Sequence, residues 1–183
     1  MPDLDMMASV AGGNSGGLEQ PTVRKGNIMT TDSSTIAGLD EQQSIRVTKT
    51  LTGVLADHVV LRMKLQNVHW NIFGPLFHSV HTMTEQRYLA LTPSIDAIAE
   101  RIRALGHPAP GRLGYLLKQS CLDEEGDGQL LDDLLDSCQQ VVQQTRACCQ
   151  TATALGDEIT ADMLIGIIGD HDEFIWQLRS LTA

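Results

Sequence analysis

The sequence predicts an all-α fold: a four-helix bundle with a long middle crossover carrying a short helix, preceded by a flexible N-terminal tail. Three observations predict it. Apolar residues recur at three- and four-residue spacing in four long stretches, with almost no alternating strand pattern. Helix-breaking residues stand between the stretches, at Gly74-Pro75, at Gly106 with Pro108, and at Gly156. The outer two connections are short, whereas the middle one runs from Gly106 to about Gly128.

Residues 1–41 differ from the rest in composition. They hold Gly12-Gly13, Gly16-Gly17 and scattered Ser and Thr, with little apolar periodicity, and they read as a flexible tail. Arg24 and Lys25 stand there against Asp3, Asp5, Glu19, Asp32, Asp40 and Glu41, a net charge of −4. The bundle is assigned to residues 42–183. The first helical pattern spans about Glu41 to Asn71, with Leu51, Val54, Leu55, His58, Leu61, Leu65 and Val68 on one stripe. The second spans about Leu76 to Leu105. It contains Pro93, which predicts a kink there or a fresh start capped by Thr92. Arg112–Ser120 is expected as the short helix of the crossover. The third long pattern spans about Gln129 to Leu155 and the fourth about Asp157 to Leu181. Helices of this length extend roughly 35–40 Å.

Hydrophobic residues make up 42% of the chain and aromatics only 4%, so the core must rest on Leu, Ile, Val, Ala and Met. The formal charge of −10 repels phosphate backbones and attracts cations, which disfavours nucleic acid as a whole-surface partner and suits metal handling. Of the cysteines, Cys121, Cys138, Cys148 and Cys149, none forms a CxxC pair. They read as small buried side chains in a reducing compartment and not as a zinc site. No stretch is long and apolar enough for a membrane span, and the N-terminus lacks the basic start and apolar run of a secretory signal, so a cytoplasmic location is expected.

The chemistry-bearing residues are His69, His78, His81, Glu85, Asp96 and Glu100. His69 shares the apolar stripe of the first helix. His81 and Glu85 are an i, i+4 pair on the second helix, as are Asp96 and Glu100, so each pair points at one spot. Imidazole with carboxylate suits iron or zinc, whereas carboxylates alone would suit calcium or magnesium. Glu85 and Asp96 lie 11 residues apart, roughly 16 Å of helix rise. Metal–ligand bonds are about 2–2.5 Å long, so one ion cannot use both pairs from one straight helix. Two copies packed antiparallel about a two-fold axis would set His81 of one beside Asp96 of the other. A self-contained di-iron bundle carries Glu-x-x-His twice, and that motif is absent here. His78, one turn before His81, is a candidate third imidazole that would favour zinc or tune iron binding. His58 and His171 fall on apolar stripes and read as satisfied core residues, while His107, after Gly106, reads as an exposed loop residue.

The run Asn67-Val68-His69-Trp70-Asn71, then Gly74-Pro75-Leu76-Phe77, His81, Asp96-Ala97-Ile98-Ala99-Glu100-Arg101 and Ala104-Leu105-Gly106 closely resembles the Dps family, the DNA-binding proteins from starved cells, which are ferritin-like mini-ferritins. The remainder matches in length, in helix order and in the ending Phe174-Ile175-Trp176-Gln177-Leu178-Arg179, and only the tail falls outside. The resemblance implies a ferritin-like bundle assembled into a hollow dodecamer. In it, ferrous iron is oxidised by hydrogen peroxide or dioxygen at two-fold interfaces and stored as ferric mineral, which protects against oxidative damage. It assigns His69 and His81 from one subunit, and Asp96 and Glu100 from its partner, as catalytic metal ligands, with Glu85 bridging or supporting. It sets Trp70 beside the site, although Trp70 also reads as a core packing residue, and it lines three-fold pores with acids near Asp157, Glu158 and Asp162. Those acids equally suit a helix N-terminus. DNA binding, the activity that names the family, often needs a basic tail and is doubtful here. Two other readings stay open: a structural DNA-coating shell with little ferroxidase activity, and a zinc-occupied sequestering shell.

Overall fold

The computed structural model describes residues 38–123 and 130–182, so the flexible tail read from the sequence lies, up to residue 37, outside the described residues. Five helices follow in order: α1 (Glu41–Asn71), α2 (Phe77–Ala104), α3 (Leu113–Gln119), α4 (Leu130–Ala154) and α5 (Glu158–Thr182). There is no strand among the described residues. The four long helices and the short crossover helix fall within a residue or two of their expected bounds. Short connections make α1–α2 and α4–α5 two antiparallel hairpins. Helix α1 packs against α2, α3 and α4, and the hairpins also meet where α2 touches α5.

The bundle begins slightly before the expected boundary. Leu39 is buried in the core, and Asp40 caps α1 in a reciprocal box. Gln43 N–H donates to Asp40 Oδ1 and Asp40 N–H to Gln43 Oε1, both at 2.8 Å. At the other ends, Gly106 (φ +90°) and Gly156 (φ +80°) take the left-handed conformation that closes α2 and α4.

Pro93 neither starts nor ends a helix, because α2 is continuous through it. The missing N–H of Pro93 leaves the Leu89 carbonyl without its helical partner, and Leu89 is exposed, so water can take that carbonyl. The Thr92 hydroxyl turns back to the Tyr88 carbonyl at 3.5 Å and does not cap a new helix.

The crossover is latched to α1. Buried Asp57 accepts hydrogen bonds from Ser120 Oγ and from Cys121 N–H, both at 2.8 Å through Oδ1. Burial pushes its carboxyl above the usual carboxylate range, and the bonds from Cys121 and Ser120 work against that rise. The His107 loop is tied down as well. Ser44 Oγ donates to the Leu105 carbonyl at 2.7 Å and lies 2.9 Å from His107 Nε2, which leaves His107 half-buried where the sequence predicts exposure.

Two apolar clusters fill the bundle. One gathers Leu61, Leu65, Val80, Leu91, Leu134, Cys138 and Phe174 among others, and the second Leu51, Val54, Leu55, Ile98, Ile102 and Leu164. All four cysteines are free thiols. Cys138 and Cys148 are buried as expected and Cys149 partly so, but Cys121, beside the crossover latch, is exposed. His58 and His171 lie wholly inside, yet only His58 is fully satisfied, since Nδ1 of His171 has no partner.

Candidate metal centre

His69 falls in the last turn of α1 and His81 in the second turn of α2, so the tight Gly74 connection folds one back against the other. Nδ1 of His69 bonds the His81 carbonyl and Nδ1 of His81 bonds the His69 carbonyl, each at 2.8 Å. A carbonyl only accepts, so Nδ1 carries a hydrogen in both rings and Nε2 is the nitrogen these bonds leave over. The rings stack with centroids 3.7 Å apart and planes 17° apart. Phe77 stacks on the other face of the pair, 5.0 Å from His81 at 25°, and Tyr88 meets His69 edge-on at 5.4 Å. Two imidazoles are thereby fixed in tautomer and orientation by backbone and aromatic neighbours, an arrangement that suits histidine ligation.

Glu85, Asp96 and Glu100 are exposed along α2. Among the described residues, no three His, Cys, Asp or Glu side chains converge within the single chain. The structure therefore brings His69 and His81 together but leaves the carboxylates apart. His78 does not join the pair, contrary to expectation. It sits exposed in the first turn of α2, while His81 is drawn inward by its bond to the His69 carbonyl and by the ring stack.

Trp70, next to His69, is 63% exposed, so it is not a core residue of this chain. It lines an apolar groove of about 680 Å³ with Val59, Met63, Thr92 and Ile95 and, from α3, Leu113 and Leu117. The groove thus runs from the neighbour of one imidazole ligand candidate (Trp70) to the neighbour of Asp96 (Ile95).

At the start of α5, Asp157 is buried and committed inside the subunit. It receives a hydrogen bond from the Thr160 backbone N–H and an ion pair from Arg101 Nη2 at 2.7 Å, while Arg101 Nε bonds the Thr160 hydroxyl. The helix-terminus reading applies to Asp157, because its carboxylate is consumed by the cap and by Arg101 and is not offered to a pore. Glu158 and Asp162 remain exposed.

Sequence reasoning overlooked Tyr88 and the stacking role of Phe77. The signal was there: Phe77, His81, Glu85 and Tyr88 follow the three-four spacing of one helix face.

The ferritin family, described as a ferritin-like domain, matches residues 48–183. The chain is 35% identical over 149 residues to an uncharacterized low temperature-induced protein of Nostoc sp. (strain PCC 7120), covering 78% of this chain and 83% of the relative. It is also 35% identical over 152 residues to a DNA protection during starvation protein of Porphyromonas gingivalis, covering 81% and 96%. Among solved structures, the DPS protein of Vibrio cholerae O1, described as a member of a broad superfamily of ferritin-like diiron-carboxylate proteins, aligns with a TM-score of 0.76 at 28% identity, over 81% of this chain and 96% of that one.

Proposed function

The chain belongs to the Dps mini-ferritins of the ferritin-like superfamily, and on that premise we propose that it oxidises ferrous iron at sites shared between two subunits and stores the product as ferric mineral inside a twelve-subunit shell. The observation that carries this reading is the His69–His81 pair. Its two reciprocal backbone bonds occupy Nδ1 of both rings and leave Nε2 of each as the nitrogen a metal would use.

The pair alone is an incomplete ligand set. The apolar groove supports a way of completing it. A second copy seated there about a two-fold axis would carry its own Asp96 toward the first copy's His69, since Ile95 and Trp70 line the same groove. His69 and His81 of one subunit, with Asp96 and Glu100 of the partner subunit, then hold the ferrous substrate, and Glu85 bridges or supports them. Two neutral imidazoles with ionised carboxylates accept a divalent cation without a further counter-ion. The electrons come from iron: two ferrous ions reduce one hydrogen peroxide, which takes up two protons and leaves as two waters, or reduce dioxygen to peroxide. The protein supplies orientation and charge.

The third imidazole that would favour zinc is absent from the pair, so iron is the reading we adopt over a zinc-sequestering shell. A structural shell with degenerate sites fits poorly with rings so firmly held. Glu158 and Asp162 are the acids left to draw cations toward a pore. The net charge of −10 argues against tight DNA binding, and among the described residues no helix is long and apolar enough to cross a membrane.

The test is stopped-flow oxidation of ferrous iron added anaerobically and then mixed with peroxide or dioxygen. The double variant Asp96→Asn/Glu100→Gln should reduce the initial rate to that of protein-free buffer while leaving each subunit folded. An unchanged rate would remove these carboxylates from the mechanism.

A further inference from the structure

Iron chemistry uses none of the polar groups buried deep in the bundle. His58 of α1, Arg87 of α2, Cys138 of α4 and His171 of α5 bring one group from each long helix, and none is more than 9% exposed. Nε2 of His58 lies 3.1 Å from Nε2 of His171, and Nδ1 of His58 lies 2.7 Å from the Val54 carbonyl.

These contacts fix the protons. The Val54 carbonyl only accepts, so His58 carries its proton on Nδ1 and its Nε2 is a lone pair. His171 must then donate from Nε2, which leaves its Nδ1 as a lone pair, and that atom has no partner. Arg87 is open in the complementary sense: its Nε–H and Nη2–H are buried with no acceptor. Those two N–H groups form one edge of the guanidinium, the fork that grips a single acceptor. The guanidinium lies over Phe174, 5.4 Å from ring centroid to Cζ, and Phe174 is one turn from His171 on α5. Its charge acts on both imidazoles.

A buried guanidinium with an open fork needs a counter-charge. The acids whose charge it feels, Asp170 and Glu173, are exposed on α5 and make no ion pair with it. Cys138 does not serve, since burial pushes its thiol up to about 12 and keeps it neutral. A water molecule would satisfy the N–H groups but leave the charge. A metal cation is excluded by Arg87 and by the mutual bond of the two Nε2 atoms. A dehydrated core also disfavours multivalent phosphate or sulfate, which would have to shed a tightly held hydration shell.

We propose that Arg87 forms a buried site for one small monovalent anion of the halide type, gripped by its Nε–H and Nη2–H. The anion offsets the guanidinium charge. The proposal does not depend on the ferroxidase reading.

Bromide tests it. Crystals of the assembled protein soaked in sodium bromide should give one anomalous peak per subunit at the Arg87 fork, absent in Arg87→Met. Water density with no anomalous signal there, or an equal peak in the variant, overturns the proposal. In solution, bromide should raise the wild-type thermal midpoint by about 3 °C over sulfate at equal ionic strength. This measurement needs no variant to fold, and the absence of a halide-specific gain also overturns the proposal.

Discussion

Two histidine pairs cross this bundle, and they are built in opposite senses. In His69–His81 the Nδ1 atoms are tied to backbone carbonyls, the rings stack, and Nε2 is left over on both. In His58–His171 the Nε2 atoms face each other at 3.1 Å and the rings meet edge to face, so the nitrogen left over is a single Nδ1 deep in the core. The same residue type leaves a nitrogen free on both rings in one place and on only one ring in the other. What separates them is which nitrogen the local hydrogen bonds consume. The first pair sits at a helix–helix corner near the surface. The second is wholly enclosed, and burial is the leading cause that pushes His58 down to about 4 and His171 to about 2.

The largest expected contrast is catalytic. His81→Ala removes one ligand and strands Nδ1 of His69, so the initial ferrous oxidation rate should fall by roughly 100-fold. His171→Leu should leave that rate within about twofold of wild type, because the one free nitrogen of the enclosed pair is buried in the core, away from the proposed site. Stopped-flow comparison of the two variants decides it, and equal losses would erase the distinction between the pairs.

Acid should act in the reverse order. A histidine whose folded pKa is lowered contributes full stability above its unfolded value near 6.5, and loses stability as pH falls from there toward the folded value. With His58 near 4, its share of the loss between pH 7 and pH 5 is roughly 2 kcal/mol. Denaturant unfolding should show this slope in the wild type and a flatter one in His58→Leu/His171→Leu. An unchanged slope in the double variant would assign acid sensitivity elsewhere.

The smallest effect concerns the aromatic wall of the outer pair. Phe77→Leu removes the ring stacked on His81, and a loss of about 0.5–1 kcal/mol of stacking corresponds to a two- to fivefold weaker ferrous affinity. Phe77→Tyr should restore it. Iron titration by calorimetry on both variants separates stacking from mere bulk, since a Tyr variant as weak as Leu would show that stacking is not what positions His81.

The fold was legible because helix periodicity and breaker residues are local signals. Leu51, Leu61 and Leu65 announce α1, while Gly106 and Gly156 announce where α2 and α4 stop. Of the two readings of Pro93, the fresh start did not occur, since the cost of the proline depends on whether the orphaned Leu89 carbonyl reaches water, a question of tertiary exposure. At the site, the spacing of Glu85 and Asp96 already showed that one ion cannot take both pairs from one straight helix. Other features were hidden. Nothing local in the sequence says that Asp157 is spent on Arg101, that His78 turns away from its neighbour, or that Arg87 sits unpaired beside two imidazoles, because each depends on which helix packs opposite.

The Asp57 latch has a consequence for how the chain assembles. The two hairpins close through local contacts, but joining them requires closing the long segment between α2 and α4. With Ser120 and Cys121 held on α1, the span left to close before α4 shortens from about 25 residues to about 8, and the entropy of that closure drops by roughly 1 kcal/mol. A single buried carboxylate thus divides one long closure into two shorter ones.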